Sequence, residues 1–189
     1  QGVSVNYKEV QKYLKMAIDK GLPEAMDQYA YMLNQGIGVP VDHESAIKYY
    51  KMAIDKGYPK AMHNYAWILQ QGNGVPVNYT EAIKYYKMAI DKGDSNAMYH
   101  YGCMLQDGQG VPVDNREAIK YYKMAIKKDH PGAMIDYALM LRNGIGVSVN
   151  YGEAIKYFRM AIAKGHPDAM LQYASMQHHG IGVPVDYEE

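Results

Sequence analysis

Residues 36–57 read GIGVPVDHESAIKYYKMAIDKG, and nearly the same string, GNGVPVNYTEAIKYYKMAIDKG, returns at 72–93. Worn copies begin at Gly108 and Gly144. The glycines Gly2, Gly38, Gly74, Gly110, Gly146 and Gly182 fall 36 residues apart with no insertion between them. A fixed period of this length marks a repeat array, in which each unit touches mainly its neighbours.

Each period splits into two helices. Asn6 with Glu9, Asn78 with Glu81 and Asp114 with Glu117 have the spacing of a capping box, where an Asn or Asp side chain accepts from exposed N–H groups of the first turn. Ala46, Tyr49, Tyr50, Ala53 and Ile54 then fall on one side of a helix, with Lys48, Lys51 and Asp55 opposite. This second helix ends at Gly57, as its copies end at Gly21, Gly93 and Gly165, with Asp129 once in place of glycine. Pro23, Pro59, Pro131 and Pro167 open the other helix, where a missing N–H does no harm. That first helix runs from Pro23 to Gln35 and closes at Gly36. Gly-x-Gly-Val-Pro-Val leads extended into the next cap. Two helices per period, short turns and no strand signal give an all-α solenoid of helix-turn-helix units with ten helices, beginning and ending in mid-unit. The assignment covers 1–189 as one array, and the open ends suggest a piece of a longer one.

The 14 methionines stand in three columns, those of Met16, Met26 and Met32. Methionine fills irregular gaps, so all three columns are expected in the core where hairpins stack, rather than around a cofactor.

Composition narrows the function. Twenty Lys and Arg balance 20 Asp and Glu, so no broad field draws the chain to nucleic acid or an acidic membrane. No apolar run is long enough to span a bilayer, and the first residues show no charged-then-apolar signal pattern. Cys103 is the only cysteine, which excludes an intrachain disulfide and suits a reducing, intracellular and most simply cytoplasmic setting. The glycine pairs lack the third glycine or the Gly-Lys-Ser/Thr of a phosphate loop and follow no strand. His178 and His179 diverge by about 100° on a helix and have no partner at ligand spacing, which argues against a metal site. No nucleophile motif flanks Cys103. The expectation is a chain with no cofactor and no enzymatic activity. The lysine column Lys48, Lys84, Lys120 and Lys156 has acidic residues within helical reach and reads as a solvated face.

The pattern Ala25-x-x-x-Tyr29-Ala30-x-x-Leu33-x-x-Gly36-x-Gly38-Val39, followed by Asp42-x-x-x-Ala46-x-x-Tyr49-Tyr50-x-x-Ala53-x-x-x-Gly57, resembles the Sel-1-like repeat, a relative of the tetratricopeptide repeat. The match covers essentially the whole chain. The resemblance implies a right-handed α-α superhelix whose first helices line a concave groove. It also implies a scaffold or adaptor role, as in signalling and in protein quality control at the endoplasmic reticulum. Secreted bacterial relatives staple each unit with a cysteine pair, a pattern this chain lacks.

The repeats can also be compared with one another. Ala25, Met26, Tyr29 and Gly36 keep their type in all five first-helix copies. Variation gathers opposite them, at positions 24, 27, 28, 31 and 35, which share one helix face. One column holds Asp27, His63, Tyr99, Ile135 and Leu171; another holds Tyr31, Trp67, Cys103, Leu139 and Ser175. A solvated face would carry Lys, Glu and Gln, whereas this one carries the only tryptophan, tyrosines and aliphatics. These ten residues are the expected partner-binding groove, about 40 Å long if helices stack about 8–10 Å apart. The alternative for Trp67 and Leu139 is packing on neighbouring first helices. In function, the reading is a protein or peptide-binding scaffold, with no nucleic acid and no membrane insertion. The alternative is an architectural spacer or lattice component within a larger assembly.

Overall fold

The computed structural model describes residues 5–182, which form ten α-helices and no strand. Gly2, the first glycine of the series, and both ends of the 1–189 assignment lie outside them. The helices group into two compact units, Gln1–Asp94 and Ser95–Glu189. The first unit holds α1 (Tyr7–Asp19), α2 (Pro23–Gln35), α3 (His43–Asp55), α4 (Pro59–Gln71) and α5 (Tyr79–Asp91). The second holds α6 (Ser95–Asp107), α7 (Asn115–Ile126), α8 (Pro131–Asn143), α9 (Tyr151–Ala163) and α10 (Pro167–His178). First helices are α2, α4, α6, α8 and α10; second helices are the odd-numbered ones.

The caps form where the sequence places them. Asn6, Asn78, Asp114 and Asn150 each accept from the backbone N–H three residues on, at 2.9–3.3 Å. Asp42 does the same with Ser45 at 2.9 Å, so the cap holds without the glutamate of the capping box. At the other end, Asp129 sits at φ 64°, the left-handed stop that glycine supplies elsewhere. Its carboxylate lies 3.3 Å from Lys164 Nζ.

The link from first to second helix is pinned rather than loose. The N–H of Asp42 donates back to Leu33 O at 2.9 Å, and Asn78, Asp114 and Asn150 repeat the bond to Leu69, Leu105 and Leu141. The second glycines Gly38, Gly74, Gly146 and Gly182 lie against the start of the preceding second helix. A Cβ on Gly38 would stand 2.2 Å from Tyr7 Cγ, and one on Gly74 would stand 2.2 Å from His43 Cβ. With φ at 68° and 73°, both conformation and space demand glycine there. The Gly-x-Gly string is therefore a stacking contact at these links.

Second helices bury small residues and one ring. Ala46, Ala53, Ala82 and Ala89 in the first unit, and Ala118, Ala125, Ala154 and Ala161 in the second, are all at 0% exposure. That close approach leaves room for the rings of Tyr50, Tyr86, Tyr122 and Phe158, each at 1% or less. The buried hydroxyls need partners. Tyr86 donates to Gln70 Oε1 at 2.7 Å and Tyr122 to Gln106 Oε1 at 2.9 Å. Where the hydroxyl is absent, at Phe158, the amide position is taken by Arg142, which donates to Gln172 instead at 2.8 Å. At the Tyr50 copy the amide is Asn34, whose Oδ1 lies 2.9 Å from His43 Nδ1.

A second set of tyrosines joins helices within each unit. Tyr29–Tyr49, Tyr65–Tyr85, Tyr101–Tyr121 and Tyr137–Tyr157 meet edge to face with centroids 4.8–5.1 Å apart. Lys15, Lys51, Lys123 and Arg159 lie 4.9–5.6 Å above the rings of Tyr29, Tyr65, Tyr137 and Tyr173. The basic residues of the second helices are thus exposed but also roof the tyrosine pairs.

One methionine column departs from expectation. The Met32 column is buried, and so is the Met26 column up to Met134. Met16 and Met124, however, are 49% and 38% exposed, and the rest of that column is half-buried. The reason is geometric: position 16 lies on the outer side of the second helix, away from the alanine side that packs.

Candidate partner-binding face

The variable side of the first helices is made of two rows that behave differently. In the row of residue 27, Asp27 is 1% exposed and Ile135 6%. The Asp27 carboxylate on α2 accepts from Asn64 Nδ2 on α4 at 2.7 Å, with Lys60 Nζ at 3.8 Å. Burial pushes the Asp27 carboxyl above the usual range, against the pull of Asn64 and Lys60. Tyr99 on α6 and Asp136 on α8 are electrostatic neighbours at the same spacing. Both pairs are one period plus one residue apart, so this row is the seam where consecutive first helices touch. His63 and Tyr99 are half-buried there and Leu171 is 68% exposed. Two expected contact residues, Asp27 and Ile135, are therefore corrected to supports under the surface. A face drawn five positions wide curves round the helix far enough that its edge turns to the neighbouring helix.

The row of residue 31 stays open. Tyr31 is 48% exposed, and Trp67, Cys103, Leu139 and Ser175 are each partly exposed. In the first unit Tyr31 borders a cleft of about 220 Å³ shared with Val10, Leu14, Gln28, Met32 and Lys60, with Asp27 at its base. Val10 and Leu14 come from α1 and escaped the repeat comparison. A signal was present: Leu14 stands where later copies have Tyr50, Tyr86, Tyr122 and Phe158, so α1 lacks the ring.

In the second unit the face is built around Tyr99. Its ring stacks on His130, with centroids 4.5 Å apart and planes 25° apart. Gly132 leaves that stack room, since a Cβ there would come within 3.2 Å of both rings. Tyr122 brings its hydroxyl to 3.6 Å from Cys103 Sγ. Burial pushes the Cys103 thiol up to about 11 and the Tyr99 hydroxyl well above its ordinary value. The thiol is held protonated, which makes it a poor nucleophile or metal ligand. Burial likewise raises the Asp136 carboxyl, only partly offset by the Tyr99 hydroxyl nearby. Among the described residues no three His, Cys, Asp or Glu groups converge as metal ligands, and no helix is long and apolar enough to cross a membrane. The face thus sets aromatic, aliphatic and carboxylate side chains side by side.

Comparison with known proteins places the architecture. The Sel1 repeat family model matches residues 23–58, 59–94, 95–130, 131–166 and 167–189. A Sel1 repeat protein from Oxalobacter formigenes superposes with a TM-score of 0.82 at 31% identity, covering 88% of this chain and 68% of that one. A protective antigen of uropathogenic Escherichia coli with an SLR fold also gives 0.82, at 28% identity, over 93% of this chain. The chain spans 38% of that antigen's length. Immunity protein PA5088 from Pseudomonas aeruginosa shares the fold, with a TM-score of 0.66 at 20% identity over 89% of this chain and 62% of that one. No curated protein matches the sequence. Five matched repeats in register and solved repeat proteins of the same helical architecture lead to one conclusion: the chain belongs to the Sel1 repeat family.

Proposed function

We propose that this chain is a non-enzymatic scaffold or adaptor that holds a protein segment against the open row of its first helices. The observation that carries the reading is the contrast at position 31. Inside a frame that repeats almost without change, Tyr31, Trp67, Cys103, Leu139 and Ser175 all differ and all remain partly exposed. Side chains of different size and shape on a constant backbone suit recognition of a particular sequence. Tyr31 and Trp67 serve this role in the first unit, and Cys103, Leu139 and Ser175 in the second, with His63, Tyr99 and Leu171 at the edge. A single, half-buried, protonated thiol fits a reducing cytoplasmic setting.

Photo-crosslinking tests the reading. A photoreactive residue replacing Trp67 or Leu139 is expected to capture a partner chain, and one replacing Lys48 or Lys156 on the second helices is not. Capture through Lys48 and Lys156 alone would instead support an architectural spacer that makes its contacts through the lysine side.

A further inference from the structure

We infer that the segment held by the second unit is cationic as well as apolar, seating a lysine or arginine beside Asp136 while its apolar side chains rest on Leu139 and the Tyr99–His130 stack. The inference rests on the scaffold reading and names the chemistry of the partner.

Net charge hides the relevant fact. In the second unit the first helices α6, α8 and α10 carry Asp107, Asp136 and Asp168, and their only cation is Arg142. Arg142 is already committed to Gln172 at 2.8 Å and Asn143 at 3.2 Å. Arg116, Lys120, Lys123, Lys156 and Arg159 all sit on α7 and α9, and Lys127 and Lys164 cap the ends of those helices. Of these, Lys123 and Arg159 lie over tyrosine rings, Lys120 pairs with Glu117 and Lys164 pairs with Asp129. Apart from Arg142, the cations named here thus lie on or just after the second helices, and every first helix of this unit carries a carboxylate.

Asp136 is the most telling of the three. It is half-buried on α8, no ion pair to it forms among the described residues, and the charge of Asp107 opposes it while His166 and the Tyr99 hydroxyl are its nearest favourable groups. Desolvating a carboxylate without a cation is unfavourable. A folded core has no need of it, because other copies hold Gln28, Asn64, His100 and Gln172 at the same place. An incoming ammonium or guanidinium would recover the lost interaction in a partly desolvated site, where such a pair is stronger than in open water. The aromatic stack next to it also favours a cation. An acidic segment would meet repulsion from all three helices.

The test uses the whole chain and two pools of synthetic 12-residue peptides with the same apolar composition, one with central Lys or Arg and one with Glu or Asp there. Fluorescence anisotropy at low salt is expected to show the basic pool binding about tenfold or more tightly than the acidic pool. Raising salt to about 0.5 M should erase most of that preference. Asp136→Asn should weaken the basic pool about tenfold while helicity stays unchanged, and Leu139→Ala should weaken both pools alike. Equal binding of the two pools, or no effect of Asp136→Asn, overturns the cationic assignment and leaves the scaffold reading standing. Binding of neither pool overturns both.

Discussion

Two columns in this molecule have opposite histories. Tyr50, Tyr86, Tyr122 and Phe158 of the second helices are nearly constant and at most 1% exposed. Tyr31, Trp67, Cys103, Leu139 and Ser175 of the first helices share almost nothing and stay partly open. The first column answers to packing, since a ring beneath close-packed alanines has only one shape that fits. The second answers to something outside the fold, because a frame that tolerates Trp, Cys, Leu and Ser at equivalent places is not using that place to hold itself together.

The largest effect should come from breaking the constant column. Tyr86→Ala empties a buried ring site and is expected to cost about 3–5 kcal/mol in guanidinium unfolding. A loss under about 1 kcal/mol would mean that the ring is not a structural element.

Next comes the stacking contact at the links. Gly74→Ala forces a Cβ to 2.2 Å from His43 Cβ at a positive φ, with an expected loss of about 3 kcal/mol. Gly165→Ala has a similar φ of 78° but nothing within 4 Å, so only the backbone penalty of about 1 kcal/mol is expected. Equal losses would show that conformation, rather than contact between repeats, sets the requirement.

Smaller and more specific is the coupling between ring and partner. Phe158→Tyr introduces a buried hydroxyl facing Arg142 instead of an amide, and should cost about 1–2 kcal/mol. Adding Arg142→Gln, which rebuilds the Tyr122–Gln106 pairing, should recover most of it. A double-mutant cycle in thermal unfolding with no coupling would refute the pairing.

Most of the fold was legible in the sequence because the period is strict and the caps are local. Asn6, Asn78 and Asp114 reveal helix starts, and Gly57 and Asp129 reveal helix stops, through interactions that span only a few residues. The site was only partly legible. Asp27 and Ile135 looked like surface because periodicity gives the face of a single helix and not the distance to the next one. Met16 looked like core because methionine carries no record of which side of its helix is covered. The sorting of charge between first and second helices was written in the sequence but invisible in the net charge of zero.

The smallest effect separates the columns by pH. The folded Asp136 carboxyl lies above its ordinary 3.8 because of burial. As pH rises through 3.8 the unfolded chain ionises first, so this group lowers stability progressively until the folded carboxyl ionises too, and the deficit then persists. Asp136→Asn should therefore match the parent at pH 3 and be the more stable of the two at pH 7. A variant less stable than the parent at pH 7 would make Asp136 part of the frame.

The measurement that bears most directly on the open column is Trp67→Ala, read by unfolding and by binding of the partner captured at that position. The account predicts a stability loss of about 1 kcal/mol or less together with about tenfold or greater loss of binding. A loss of about 3 kcal/mol or more with binding intact would contradict it, and would make the first-helix row another part of the core.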